Sequence, residues 1–254
     1  MMWDGRTLGW LMAVAWLTLA GGGLACRGNR AGEFEEIKPI QLDLDSRSIA
    51  MLDLRFPEAS VTLVRAEAGD PLRVEGALRI LSSDEATARL RASQLEPDLK
   101  LGAYTLLSLP PAQDDFAYEA SFTIALPPGI NLRLTMGAGN VFWELPLPQK
   151  TSVEVGRGVV VFSLPGETAA EVIAETNMGN VTVEGFAQIQ GEVRRELVYA
   201  EYDSTLGDAD QARGRQLEIR VNTGRISLTG DAERTLPEDE PLAPEDSPAE
   251  APVP

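Results

Sequence analysis

Histidine is absent from all 254 residues, and cysteine occurs once, at position 26. Those two absences exclude Ser-His-Asp and Cys-His nucleophile activation, histidine ligation of a metal, and any disulfide within the chain. Aromatic residues are also scarce, at 6% against 44% hydrophobic overall. The apolar content therefore rests on Val, Leu, Ile and Ala, which suits short stacked strands. Basic residues number 22 against 39 acidic ones, a formal net charge of -17. That sign opposes phosphate neutralisation, so no nucleic-acid partner is expected. Only carboxylates, Lys, Arg, Tyr, Ser and Thr remain for catalysis, and no motif gathers them. The chain is expected not to be an enzyme and to take no cofactor and no metal.

What is present begins with a leader. Met1 to Arg6 is short and carries one side-chain cation, Arg6, beside Asp4, and Leu8 to Ala20 is an apolar block. Its length suits a signal-peptide core better than a membrane span of ~20 apolar residues. The block leads to Gly23-Leu24-Ala25-Cys26, which resembles the lipobox of bacterial lipoproteins, where a cysteine is lipidated on sulfur and becomes the mature N-terminus. Gly23 stands where that pattern prefers Leu, so plain secretion after ordinary cleavage and an uncleaved anchor remain open beside lipidation. The resemblance implies residues 1–25 as a signal peptide, Cys26 as the lipid acceptor and the membrane as a partner through that anchor. Arg27 at the second mature position is not the inner-membrane retention signal, which points to an outer-membrane or cell-surface destination.

Residues 26–39 are polar and non-periodic, as a tether should be. Asp231 to Pro254 holds six prolines and eight acids against one arginine. That composition predicts disorder, as an acidic interaction tail or as a solubilising terminus.

Between these ends, apolar residues alternate around regularly placed glycines. Gly139 has Leu132 and Leu134 before it and Val141 and Trp143 after it. Gly158 is framed by Thr151, Val153, Val160 and Phe162; Gly179 by Val172, Ala174, Val181 and Val183; Gly224 by Leu217, Ile219, Ile226 and Leu228. An earlier copy without glycine centres on Ala59. Each unit reads as two short strands joined by a turn at the glycine, and such units bury their apolar faces only by stacking. The expected fold is all-β with one short inserted helix: a single-stranded right-handed β-solenoid or β-roll of ~20-residue units over residues 40–230, with a mixed N-terminal cap. The gap from Gly179 to Gly224 reads as two units, the middle one degenerate across Glu192 to Tyr202. Asn177 and Asn222, each two places before a glycine, read as turn-formers. Ser82-Ser83-Asp84-Glu85 predicts a helix from about Ser83 to Leu95 with Ala86, Leu90 and Ala92 toward the core. Lys100 to Pro110 and Tyr118 to Leu126 alternate as two further strands.

Ser121 to Leu145 (SFTIALPPGINLRLTMGAGNVFWEL), with GRGVVVFSLP, ETNMGNVTVEGF and VNTGRISLTG, resembles the bacterial family of extracytoplasmic domains known as putative adhesins, related to the toast-rack domain of envelope-stress regulators. The resemblance covers roughly residues 49–230. It implies a β-solenoid with an interaction role, an envelope protein or glycan as partner, and alternatively a regulatory part in the envelope stress response. It supplies no catalytic residues.

Four groups of side chains are candidates for more. Asp114 and Asp115, beside a strand, could act as a paired acid and base on polysaccharide, against the simpler reading of an acidic loop tip. Asp203, Asp208 and Asp210 could offer oxygens to Ca²⁺, against a solvated turn. Arg194, Arg195, Arg213 and Arg215 could bind a carboxylate or anionic glycan, against local ion pairing with Glu192, Glu196 or Glu201. On one strand Trp143 points with Val141 and Phe142 points away, so Phe142 either joins a binding face or lies under the N-terminal cap.

Overall fold

A computed structural model of the chain describes residues 34–111, 117–196 and 198–231. The leader, Cys26, the tether up to Glu33, Asp114, Asp115 and the tail after Asp231 lie outside the described residues, whereas residues 34–39, expected as tether, belong to the first strand of the domain.

The strands are β1 (Phe34–Leu44), β2 (Met51–Arg65), β3 (Leu72–Ser82), β4 (Asp98–Lys100), β5 (Tyr104–Ser108), β6 (Ala117–Leu126), β7 (Asn131–Glu144), β8 (Lys150–Leu164), β9 (Ala170–Glu184), β10 (Arg194–Glu196), β11 (Tyr199–Leu206) and β12 (Gln216–Gly230). Two helices join them, α1 (Glu85–Gln94) and α2 (Ala209–Ala212). The strands form one large mixed sheet in the order β1-β3-β6-β2-β7-β8-β12-β9-β11-β10, with β5 beside β2 and β4 beside β5.

The long strands change phase at their midpoints. In β7 the buried residues are Leu132, Leu134 and Met136, then Val141 and Trp143. The even series gives way to an odd one across Gly137-Ala138-Gly139, so both arms of the strand keep their apolar side toward the same core. β8, β12 and β9 do likewise around Gly158, Gly224 and Gly179. The predicted template is observed residue for residue as parallel register: Ala59 pairs Gly139, Gly139 pairs Gly158, Gly158 pairs Gly224 and Gly224 pairs Gly179.

Glycine is required because the backbones nearly touch. A Cβ on Gly139 would lie 1.7 Å from the carbonyl oxygen of Ala59, and one on Gly158 would lie 1.6 Å from that of Gly139. Gly139 also has φ of 132°, where a side chain is strained. Ala59 is tolerated because it begins the column: its other neighbour is β6, paired through Ala120, and β6 has no such bend.

Beyond the column the two arms are extended differently. The first arms run β4-β5-β2-β7-β8-β12-β9-β11-β10, because β5 pairs residues 51–55 and β11 pairs residues 170–176. The second arms run β1-β3-β6-β2-β7-β8-β12-β9. Inward residues of both arms meet in one hydrophobic cluster. In it Trp143 stacks on Phe162 at 4.9 Å and Phe56 on Phe122 at 5.0 Å. At roughly 1.5–3 kcal/mol for each fully buried large apolar side chain, this cluster is the main source of stability.

Three expectations are revised. The units do not stack in chain order, since β12 lies between β8 and β9. The short link of residues 165–169 can step over one strand because an extended residue spans ~3.3 Å and strands lie ~4.8 Å apart. The stretch Glu192 to Tyr202 is not a degenerate unit of the column; it forms β10 and the start of β11, an antiparallel pair beyond β9. The helix begins at Glu85 with Asp84 as its cap, accepting from the Thr87 N–H at 2.7 Å. Its inward residues are Ala88 and Ala92, while Ala86 and Leu90 are exposed. Small side chains let the helix lie close against β1 and β3, which leaves Leu90 on the far side.

Candidate functional site

The two ends of the second-arm sheet are finished unequally. β1 closes one end, paired with β3 without interruption through Pro39. Proline has no N–H, so this unbroken ladder requires Pro39 to sit at a position that turns away from β3. The outer edge therefore lacks a donor at its middle, and Glu35, Glu36 and Lys38 place charge along it. These are common protections against strand addition.

β9 closes the other end and is covered over only part of its length. β11 covers it only as far as Thr176. Just beyond, the Gly179 N–H donates to the Val198 carbonyl at 3.0 Å, and the Val181 carbonyl accepts from Arg195 Nη2 at 3.4 Å. Both contacts lie on the side away from β12. Thr182 faces the other way, its hydroxyl donating to the Ile226 carbonyl at 3.4 Å. By strand alternation the N–H groups of Val181 and Val183, and the Val183 carbonyl, point to the open side. No strand among the described residues pairs with them there. Met178 and Val198, 56% and 57% exposed, put apolar surface next to this edge.

On the outer face of the first arms, Thr135, Glu154, Arg220 and Glu175 form one row across four strands. Arg220 pairs with Glu175 at 3.1 Å and with Glu218 at 2.8 Å. The next row is Gly137, Gly156 and the pair Asn222 and Asn177, whose side chains bond at 2.9 Å. Because the two glycines lack side chains, the rows enclose an open polar groove of about 270 Å³ floored by Met136 and Val155.

A buried carboxylate lies at the other side of the same face. Asp53 is fully buried, and its Oδ2 accepts from Arg55 Nε at 3.1 Å, Arg55 Nη2 at 2.7 Å and the Tyr104 hydroxyl. Its Oδ1 has no partner among the described residues. Burial is the largest influence and pushes its pKa up. The bonds from Arg55 and Tyr104, with the charges of Arg55 and Arg133, outweigh it and hold the carboxyl below its ordinary value. Its cover is thin, since Tyr104 is about half exposed.

The candidate residues from the sequence are dispersed. Gly139, Gly158, Gly179 and Gly224 form the central column. Asn177 and Asn222, expected at turns, lie instead within the continuous strands β9 and β12 and pair with each other. Asp208 caps α2, accepting from the N–H groups of Asp210 and Gln211, Asp210 pairs with Arg213 at 3.3 Å, and Asp203 lies on β11 opposite Ile173. The four arginines are separated. Arg194 pairs with Glu201 at 3.7 Å, Arg195 reaches the edge of β9, and Arg215 donates to the Ala169 carbonyl at 3.2 Å. Trp143 and Phe162 are core residues, whereas Phe142 is 38% exposed on the outer face of the second arm. Sequence reasoning missed the β9 edge, Asp53 and the groove. The signal for the groove was present in Gly137 and Gly156, which are 19 residues apart like Gly139 and Gly158.

A scan against protein-family models finds no match, and a search of the curated proteins finds none either. Two solved structures show a distant likeness. One is described as a "putative cell adhesion protein" from Clostridium sporogenes, with 11% identity, a TM-score of 0.42, and coverage of 77% of this chain and 100% of that one. The other is a "putative adhesin" from Bacteroides fragilis, with 11% identity, a TM-score of 0.20, and coverage of 75% and 97%. The functional reading rests on the geometry of the chain itself. No helix among the described residues is long and apolar enough to cross a membrane.

Proposed function

We propose that the chain is an exported, lipid-anchored interaction module that binds an envelope partner without turnover, built as a β-roll of bent units. The observation that supports it is the partly open edge of β9 at one end of the second-arm sheet, where the edge of β1 at the opposite end is blocked. An added strand would bond to the N–H groups of Val181 and Val183 and to the Val183 carbonyl, and cover Met178 and Val198. Natural proteins block such edges unless they are used, and this chain blocks one and leaves the other open. The anchor at Cys26 would hold the module at the membrane.

The test is Val183→Pro. It deletes an N–H that strand alternation turns away from β12, where no described strand pairs with it, so the fold should survive while strand addition fails. Wild type and variant, matched by thermal melting, are used to recover partners from intact envelopes. A specific partner held by wild type and lost by the variant supports the reading. Equal recovery by both would remove the edge as the binding element.

A further inference from the structure

The polar groove on the outer face of the first arms holds a charge that nothing around it answers. Glu154, exposed on β8, forms part of its wall. In register it has Arg220 on one side, on β12, and Thr135 on the other, on β7. The Arg220 guanidinium turns away from it, to Glu175 at 3.1 Å and Glu218 at 2.8 Å. Thr135 brings no charge, and Arg133, two residues before it, lends its charge to Asp53. Glu154 is therefore left without an ion pair among the described residues, while two other carboxylates share one guanidinium. The formal net charge of -17 adds a background of the same sign.

The rest of the lining narrows what could fill the groove. Asn177 Nδ2 donates to Asn222 Oδ1 at 2.9 Å, which uses that donor internally and leaves the Asn177 side-chain oxygen to accept. Met136 and Val155 give an apolar floor, reached because Gly156 carries no side chain above it. The volume, about 270 Å³, falls just below the roughly 300 Å³ at which small-molecule sites begin, and suits one long side chain. An anion would be repelled by Glu154, and a neutral sugar would leave its charge unanswered. A cation on an apolar stem satisfies both the wall and the floor. Arginine fits better than lysine, because the guanidinium offers a planar fork of donors to a carboxylate and is less strongly hydrated than an ammonium.

We propose that this groove receives an arginine side chain of a partner protein, with the guanidinium on the Glu154 carboxylate and the methylene stem over Met136 and Val155. The site is separate from strand addition at β9, since Glu154 and Arg220 lie on β8 and β12 and take no part in that edge. Either element can therefore fail without the other.

The experiment is an NMR titration of the isotope-labelled full-length chain, read at the side-chain amides of Asn177 and Asn222. The probe is N-acetyl-arginine N-methylamide, compared with the citrulline analogue, which has the same shape without the charge, and with methyl glucoside as a neutral polyol. The arginine probe should shift both amides in a saturable way, and the other two should not. Glu154→Gln, a change at an exposed side chain that leaves the fold intact, should weaken binding roughly fivefold, which is what an exposed ion pair is worth. Glu144→Gln, which removes an exposed acid from the second arm, and Val183→Pro, at the edge of β9, should bind as wild type does. No shift with the arginine probe, equal shifts with citrulline or the glucoside, or an equal loss in Glu144→Gln, as general attraction to an acidic chain would give, would overturn the site.

Discussion

The glycine column can be separated into its two physical causes by substitution. Gly139→Ala places a Cβ 1.7 Å from the Ala59 carbonyl oxygen at a φ of 132°, so it incurs both backbone strain and overlap. Gly129→Ala incurs strain alone, because φ is 91° and nothing lies within 4 Å of the added atom. Gly156→Ala incurs overlap alone: its Cβ would meet the Gly137 carbonyl oxygen at 2.4 Å, and its φ is not among the positive ones. A left-handed residue with a side chain costs about 1–2 kcal/mol, and overpacking costs about 1–3 kcal/mol. Gly139→Ala should therefore lose about 2–5 kcal/mol, the sum of the other two. Domains of this kind hold about 5–15 kcal/mol in all, so the variant should remain folded but with a much lower urea midpoint. The assay is urea unfolding of the three variants and wild type, compared at equal m-value. If Gly139→Ala lost no more than Gly129→Ala, the column would be a set of turns and not a line of backbone contact.

Other consequences follow from the polar and aromatic interior. Asp53→Asn should destabilise the domain by about 2 kcal/mol, because the bonds from Arg55 and Tyr104 lose their charged acceptor; chemical denaturation at neutral pH would measure it. The folded pKa of Asp53 is depressed, so its contribution is complete above the unfolded value of about 3.9 and fades as pH falls through the folded value. The difference between wild type and Asp53→Asn should accordingly shrink in acid, and a difference unchanged down to pH 2 would contradict the cause given. Trp143→Ala removes a fully buried ring stacked on Phe162 and leaves the Leu145 carbonyl without its donor. A loss of about 3–5 kcal/mol is expected by the same unfolding assay.

The parts of the fold that repeat were readable in the sequence. Ala59, Gly139, Gly158, Gly179 and Gly224 take the same rung because alternation and glycine spacing carry register directly. The order of the rungs was not readable. Gly158, Gly179 and Gly224 offer equivalent surfaces to their neighbours, and nothing local specifies that β12 should lie between β8 and β9. Helix α1 misled for a related reason: its inward residues are alanines, so Leu90 looked like the anchor. Asp53 gave no signal, since one acid within a strand resembles any outward residue until Tyr104 is folded over it. The open edge of β9 depends on where β11 stops, a property of the pairing and not of either strand.

The central claim is that Val181 and Val183 offer free N–H groups on the edge of β9, and hydrogen exchange at single amides tests it most directly. In the isolated chain the Val183 N–H should exchange at nearly the rate of an open strand while Thr182, turned toward β12, is protected. Added envelope partner should slow Val183 and leave Thr182 as it was. A Val183 amide already as protected as Thr182 in the isolated chain would show that the edge is covered and would contradict the account.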